Sequence, residues 1–305
     1  MLQHELLLLE QENTISTPFL HHRYGQCKGA MDDMNEGFME TIRSGKGNGR
    51  GLIENLVARK LELEIVNSKD KLTEDNIYGF VIDTLVGSIF PTAYNLIGIM
   101  LCIVEQPSVQ DKIHAELDRL CSNRPPSGED MDSFHYLRAT LLEGLRYLSI
   151  LSVTVPHTTT KDTDINGYRV DKGTHIFGNM FNLHHSEQIW GDPWTFRPER
   201  FLNSSGQLIS SDDPLRKYVK AFGTGPRMCK GYNFAESTLF SYVSTIMYYF
   251  RILPPADGQL PDSDPRSFGF AAALTVPDVR CMFELRQGKS LQLQKTNVVS
   301  ETVNP

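Results

Sequence analysis

The longest apolar stretch of the chain, residues 84–104, carries no charged side chain. It is just long enough to cross a membrane, and it is equally typical of a helix buried in a large soluble core. Lys and Arg do not cluster at its flanks, so the charge asymmetry typical of membrane spans is missing. We therefore expect a buried core helix, with a membrane span as the alternative.

Three further segments are predicted to be helical. In residues 107–120 and 136–149, large apolar residues return every three or four positions, which places them on one face of a helix. Pro107 fits the first turn of its helix. Residues 231–250 are also predicted to form a helix. The two apolar stripes consist of Val109, Ile113 and Leu117, and of Leu137, Leu141, Leu145 and Leu148.

The pattern changes after Val155. Asn166-Gly167 and the Asp171–Gly173 turn separate short runs that are typical of β-strands. Residues 189–201 are rich in Trp, Pro and Phe without a clear period, which predicts packed coil, and residues 287–305 form a polar tail. The sequence therefore predicts a chain that is mainly α with a small β region.

Composition narrows the classes of function. The 305 residues carry 30 basic and 37 acidic side chains, a net charge of −7, so no general attraction to nucleic acid is expected. The five cysteines are dispersed and none forms a CxxC pair, which argues against a disulfide framework and a cysteine-rich zinc site. The first residues lack the basic start of a secretory signal.

The most specific local signal is the segment FGTGPRMCKG, residues 222–231. Its glycines allow a backbone that crowds a bound group, and Cys229 stands directly before a predicted helix. The partial positive charge of the helix start, together with Arg227 and Lys230, would favour the thiolate. Such a thiolate could act as a nucleophile, a redox group or a metal ligand.

This segment resembles the haem-binding loop of the cytochrome P450 family. The residues at the fixed positions of that loop are Phe222, Gly225, Arg227, Cys229 and Gly231. The resemblance implies a partial cytochrome P450-like fold over about residues 30–285, and we assign residues 1–286 to this domain. It also implies that haem b is the cofactor, that Cys229 is the axial thiolate ligand, and that Arg227 pairs with a haem propionate.

Further motifs occur in the family's order. Glu143 and Arg146 match its ExxR motif, and FRPERF, residues 196–201, matches its PERF segment. With Arg200 they resemble a buried structural triad beneath the cysteine loop. His157 resembles a further propionate contact, although an ordinary loop histidine is the alternative.

One segment departs from the family. The central helix of the family usually carries a small-residue pair, then any residue, an acid and a Thr that together deliver protons for oxygen activation. Here Phe90 stands at the acid position and Pro91 at the Thr position. The candidate hydroxyl groups are therefore Ser88 and Thr92, the latter about 100° around the helix from the usual position.

The resemblance implies a monooxygenase that inserts one oxygen atom from O2 into a lipophilic molecule, with electrons from NADPH through a flavoprotein reductase. The alternatives are a rearranging enzyme that needs no O2 activation and a truncated relative without activity. The expected pocket walls are residues 86–92, 151–155 and 270–276, which are almost entirely apolar. Basic residues around the cysteine loop are either a solvated face or a reductase docking site: Arg216, Lys217, Lys220, Arg227 and Lys230.

The resemblance further implies association with the endoplasmic reticulum membrane. Family members usually carry a membrane anchor and several helices before the part that matches here. We therefore expect that the chain lacks the anchor and the early helices, as a fragment or shortened product would.

Overall fold

The computed structural model describes residues 36, 51–67, 69–121, 123–270 and 273–290, and the statements below concern these residues. The α-helices in this part of the chain are α1 (Leu52–Ile65), α2 (Glu74–Glu105), α3 (Pro107–Leu120), α4 (His135–Leu148), α5 (Met180–His184), α6 (Glu187–Trp190), α7 (Pro214–Lys217) and α8 (Tyr232–Tyr249). Short 3-10 turns cover Gly128–Ser133, Pro198–Phe201, Gly225–Arg227 and Pro265–Ser267.

The strands form small antiparallel pairs: β1 (His157–Thr158) with β4 (His175–Ile176), β2 (Thr163–Ile165) with β3 (Tyr168–Val170), β5 (Phe250–Leu253) with β8 (Met282–Leu285), and β6 (Gly269–Phe270) with β7 (Leu274–Thr275). The Asn166-Gly167 turn joins β2 to β3, and both of its residues have positive φ, +55° and +87°. Such a turn matches the twist of the paired strands. The prediction of a mainly α chain with a small β region is confirmed.

The main core lies where α3, α4 and α8 pack around the last two turns of α2. Residues 98, 99 and 101–104 of α2 are buried, whereas Phe80 and Ile89 earlier in the helix are about half exposed or more. The prediction of a buried core helix is therefore met mainly in the C-terminal part of α2. Among the described helices, α2 is the one that is long and apolar enough to span a membrane. In an apolar stretch of 18 residues within it, 28% of the residues are buried.

The predicted coil at residues 189–201 needs a correction. Trp190 ends α6, and the segment then runs irregularly to the 3-10 turn at Pro198–Phe201. The turn packs closely on α4. Helical turns this short carry too few residues to show a period, so the pattern of apolar residues did not reveal them.

Two glycines allow α2 and α4 to come close. A Cβ at Gly98 would lie 2.6 Å from Cδ1 of Leu148, and a Cβ at Gly144 would lie 2.3 Å from Cγ1 of Ile99. Leu148 and Ile99 are themselves fully buried, so neither can turn away freely. Contact between the two helices therefore requires the absence of a side chain at both positions.

Gly98→Ala should lower the free energy of unfolding by about 1–3 kcal/mol, because the added methyl group overpacks the α2–α4 contact. Gly79→Ala in the same helix is the matched control. A Cβ there meets nothing within 4 Å, so this change should be neutral or stabilising by up to ~1 kcal/mol. Urea unfolding measures both, and an equal effect of the two substitutions would contradict the proposed close contact.

Candidate functional site

The cysteine loop, residues 222–231, is folded back on itself by backbone hydrogen bonds. The Cys229 N–H donates to the Phe222 carbonyl at 2.9 Å, and the Met228 N–H donates to the Gly225 carbonyl at 3.1 Å. Gly223 and Gly225 have φ values of +74° and +75°, which other residues rarely adopt. The glycine pattern of the sequence therefore has a direct conformational cause.

The thiol of Cys229 is exposed at the end of this loop. Helix α8 begins three residues later, and the Ala235 N–H donates to the Gly231 carbonyl at 2.8 Å in its first turn. Phe222 is half-buried and meets Tyr232 edge to face, with ring centroids 5.8 Å apart. The loop is thus anchored on the core by Phe222 while the sulfur remains accessible.

The five basic residues near the loop are not equivalent. Arg216 donates to the Ile209 carbonyl at 3.1 Å, and Lys217 pairs with Asp212 at 3.4 Å. Within the described part of the chain, the side chains of Lys220, Arg227 and Lys230 form no ion pair, and Arg227 and Lys230 are exposed. These three side chains are therefore available to an anionic group.

A haem would fit these residues. It needs one axial ligand from the protein, since the porphyrin supplies the equatorial nitrogens. Cys229 offers an accessible sulfur, and nothing lies within 4 Å of a Cβ built at Gly225, so a flat group can approach the backbone there. Among the described residues no group of three or more His, Cys, Asp or Glu side chains could hold a bare metal ion.

Glu143, Arg146 and Arg200 meet in the interior. Arg146 donates to both carboxylate oxygens of Glu143 at 2.8 Å, and Nε of Arg200 donates to Oε1 at 3.1 Å. Glu143 and Arg146 are 0% exposed, and the Arg200 side chain is 2% exposed. The structure therefore brings together the three residues that the sequence analysis grouped as a buried triad.

The triad carries one negative and two positive charges, and the half-exposed Asp192 carboxylate, 3.3 Å from Arg200, offsets the excess positive charge together with backbone carbonyls. Arg146 donates to the carbonyls of His184 and Pro193 at 2.8 and 2.9 Å. Arg200 donates to the Trp190 carbonyl at 2.8 Å and to the Thr195 carbonyl at 3.0 Å. The irregular segment between α5 and Pro198 is thereby fixed against α4.

The sequence analysis missed His184. This fully buried residue is hydrogen-bonded to the Ser149 hydroxyl through Nδ1 at 2.5 Å and accepts the Lys220 N–H at Nε2 at 2.8 Å. In the sequence, His184-His185 suggests at most a metal site, and the side chains of neighbouring residues diverge too much to share one ion. The partners of His184 lie 35 and 36 residues away, so no local spacing points to them.

His157 lies in β1, opposite Ile176 of β4, and is exposed. No hydrogen bond among the described residues joins it to the cysteine loop. Its predicted contact with a propionate therefore stays a prediction. Its exposed position leaves the imidazole open to such a contact.

Ser88 and Thr92 both lie on α2 and are half-buried. The Ser88 hydroxyl donates to the Leu85 carbonyl at 3.2 Å. The helix continues through Pro91 as one element, and Asn95 donates to the Pro91 carbonyl at 2.8 Å. Since Pro91 has no N–H, the carbonyl of Gly87 lacks its usual helical donor.

The predicted pocket walls are only partly described, since residues 271 and 272 lie outside the described ranges. Val155 is 80% exposed and Ile89 is 64% exposed, so these two walls present apolar surface to solvent. Leu274 in the third wall is buried and donates its N–H to the Ile150 carbonyl at 2.8 Å, which ties this wall to the start of the second.

Glu143→Gln should cost about 3–5 kcal/mol of stability, because it leaves two buried guanidinium groups without their carboxylate. Asp111→Asn is the matched control. It breaks the surface pair of Asp111 with Arg251, both partly exposed, and should cost at most ~1 kcal/mol. Denaturant unfolding compares them, and a cost for Glu143→Gln no greater than that of the control would contradict a buried charge cluster.

Stability should fall as the pH drops from 7 to 5. Burial lowers the pKa of His184 from 6.5 to about 3 and that of His185 to about 4, and the nearby Arg146 guanidinium acts in the same direction. The unfolded chain therefore takes up protons near pH 6.5 that the folded chain refuses. Unfolding measured across this range tests the sign, and stability that is constant or rises toward pH 5 would contradict it.

Comparison with known proteins agrees with these motifs. The family model described as Cytochrome P450 matches residues 13–279. The golden hamster (Mesocricetus auratus) protein named Cytochrome P450 1A1 is 31% identical over 287 residues, covering 90% of this chain and 52% of its own length. The rat (Rattus norvegicus) protein of that name is 31% identical over 278 residues, covering 87% of this chain and 51% of its own length.

These relatives also indicate how much of a relative's length this chain spans. The guinea pig (Cavia porcellus) Cytochrome P450 1A1 is 36% identical over 198 residues, 64% of this chain. The chain spans about half the length of the first two relatives. Nothing in these matches favours a rearranging enzyme that needs no O2 activation over a monooxygenase. The matched family model and the relatives that cover most of the chain show that this protein belongs to the cytochrome P450 family.

Proposed function

We propose that this chain carries the haem-thiolate part of a cytochrome P450 monooxygenase, with Cys229 as the axial ligand of haem b. The observation that carries the proposal is the exposed thiol of Cys229 in a loop whose ends are already joined by the bond from the Cys229 N–H to the Phe222 carbonyl. A ligand held in this way loses little conformational freedom when it binds iron.

Other residues of the loop would hold the cofactor. The guanidinium of Arg227, which has no ion-pair partner among the described residues, suits a propionate carboxylate. Phe222 would pack beside the porphyrin, and Gly225 and Gly231 would let the backbone approach it. The exposed imidazole of His157 would contact a second carboxylate oxygen of the propionates.

Thiolate-ligated haem supplies the activation of O2, which allows one oxygen atom to enter an apolar substrate. The net reaction converts a lipophilic substrate RH, O2, NADPH and H⁺ into ROH, NADP⁺ and water, and a flavoprotein reductase passes on the electrons. The apolar side chains of Ile89, Leu151 and Val155 support a lipophilic substrate, since they offer it no charge.

Residues of α2 would deliver protons to the reaction site. We assign proton delivery to the hydroxyl groups of Ser88 and Thr92, which replace the acid and Thr of the usual family pattern. The Gly87 carbonyl, which lacks a donor from Pro91, can hold a water molecule beside them. The Ser88 hydroxyl donates to the Leu85 carbonyl and can turn to accept a hydrogen bond from that water.

The cationic side chains of Lys220 and Lys230 would steer an acidic reductase toward the cysteine loop. The half-exposed apolar positions near the start of α2, such as Tyr78 and Phe80, support association with the endoplasmic reticulum membrane.

Reconstitution with haem tests the proposal. The reduced CO complex of the wild-type chain should give the Soret band of a thiolate-ligated haem, and NADPH with a reductase should oxidise a lipophilic substrate. Cys229→Ser should abolish the thiolate band while the protein stays folded. The half-buried Cys281 supplies the matched control, Cys281→Ser, which should retain the band. A wild-type protein that is folded and gives no such band would refute the proposal.

A further inference from the structure

We propose that His184 is a positioning residue for the Cys229 thiolate, in which the neutral imidazole with its proton on Nδ1 ties Lys220, two residues before the cysteine loop, to the end of α4. This inference rests on the proposed function only in that Cys229 is the iron ligand. The tie itself is argued from the contacts of His184.

The direction of each hydrogen bond fixes the tautomer. A backbone N–H can only donate, so the Lys220 N–H at 2.8 Å requires a lone pair on Nε2 of His184. A neutral imidazole then carries its proton on Nδ1, where it donates to the Ser149 hydroxyl at 2.5 Å. The Ser149 hydroxyl in turn donates to the Arg146 carbonyl at 3.3 Å. A single arrangement of protons therefore completes every hydrogen bond in this series.

The surroundings keep His184 neutral. The side chain is fully buried, the Arg146 guanidinium donates to the His184 carbonyl at 2.8 Å, and His185 is the adjacent residue. Burial, His185 and Arg146 all lower the pKa of His184. An imidazolium would lose the acceptor at Nε2, so protonation and the Lys220 bond exclude each other.

A short series of bonds leads from His184 to the sulfur. The Lys220 carbonyl accepts the Gly223 N–H at 2.8 Å, and the turn closed by this bond contains Phe222, whose carbonyl accepts the Cys229 N–H at 2.9 Å. The other end of the tie is Ser149, a helix cap of α4 with a left-handed backbone, φ +44°. Arg146 of the buried triad, which contacts His184 through its guanidinium and Ser149 through its carbonyl, therefore positions Cys229 through His184.

The first test uses the haem-free chain with labelled histidines. Two-bond proton–nitrogen correlation spectra at pH 7 should show the His184 ring with its proton on Nδ1, the less common tautomer, and the signal is assigned by its absence in His184→Gln. A proton on Nε2, or on both nitrogens, would overturn the inference. If His184 only filled space, the structure would not require either tautomer of its ring.

The second test compares variants of the same chain. His184→Leu removes the acceptor, so amide exchange at Lys220 should accelerate about tenfold or more, and the reduced CO complex should lose part of its thiolate-type band. His184→Gln offers Oε1 in place of Nε2 and should restore both in large part. Ser149→Ala removes the acceptor of the Nδ1 proton but keeps the Lys220 bond, and should give an intermediate effect.

His114→Gln is the matched control. His114 is another buried histidine, bonded to the Phe250 carbonyl at 3.1 Å on the far side of α3. It should lower stability without changing Lys220 exchange or the band. If His114→Gln changes both readouts as much as His184→Leu does, or if folded His184→Leu changes neither, the inference fails.

The outcomes separate this inference from the proposed function. If the wild-type chain gives no thiolate band, the proposed function is refuted together with the ligand role of Cys229. If the wild-type band is present but His184 carries its proton on Nε2, this inference alone is refuted. Should His184→Leu fail to fold, the wild-type tautomer and the His184→Gln comparison still decide.

Discussion

A single buried carboxylate, that of Glu143, holds together the segments that pack behind the cysteine loop. Glu143 accepts hydrogen bonds from the guanidinium groups of Arg146 and Arg200 and from the Arg197 backbone, all within 3.1 Å. The Glu143 and Arg146 side chains are 0% exposed and that of Arg200 is 2% exposed, so each of these charges needs a partner within the protein. The irregular segment before Pro198 can therefore adopt only a conformation that completes this set of bonds.

The same cluster connects structure to chemistry. Two guanidinium groups face one buried carboxylate, and their remaining N–H groups donate to the carbonyls of His184, Trp190 and Pro193. The His184 ring then accepts the N–H of Lys220, two residues before the cysteine loop. A loop that carries a ligand needs such rigid support, because a small displacement of the sulfur changes its distance to the iron. The support lies behind the loop and leaves the front of Cys229 open.

The sequence predicted those features whose signal is local. Periodic apolar residues located α3 and α4 to within a residue, the Asn166-Gly167 pair located its hairpin, and the glycine spacing around Cys229 located the loop. The i, i+3 spacing of Glu143 and Arg146 indicated a pair, but only the family resemblance added Arg200. Partners far apart in sequence, such as Ser149, His184 and Lys220, leave no such pattern. The exposure of individual apolar side chains in the first half of α2, such as Ile89, also escaped prediction, since an apolar helix has the same composition whether or not something covers it.

The bond between the Cys229 sulfur and haem iron is the central claim, and vibrational spectroscopy tests it most directly. Resonance Raman spectra of the ferric complex, made once with ordinary cysteine and once with cysteine carrying a heavy sulfur isotope, should contain an iron–sulfur stretching band that moves to lower frequency on substitution. Chain that binds haem stoichiometrically but shows no isotope-sensitive band would contradict the account.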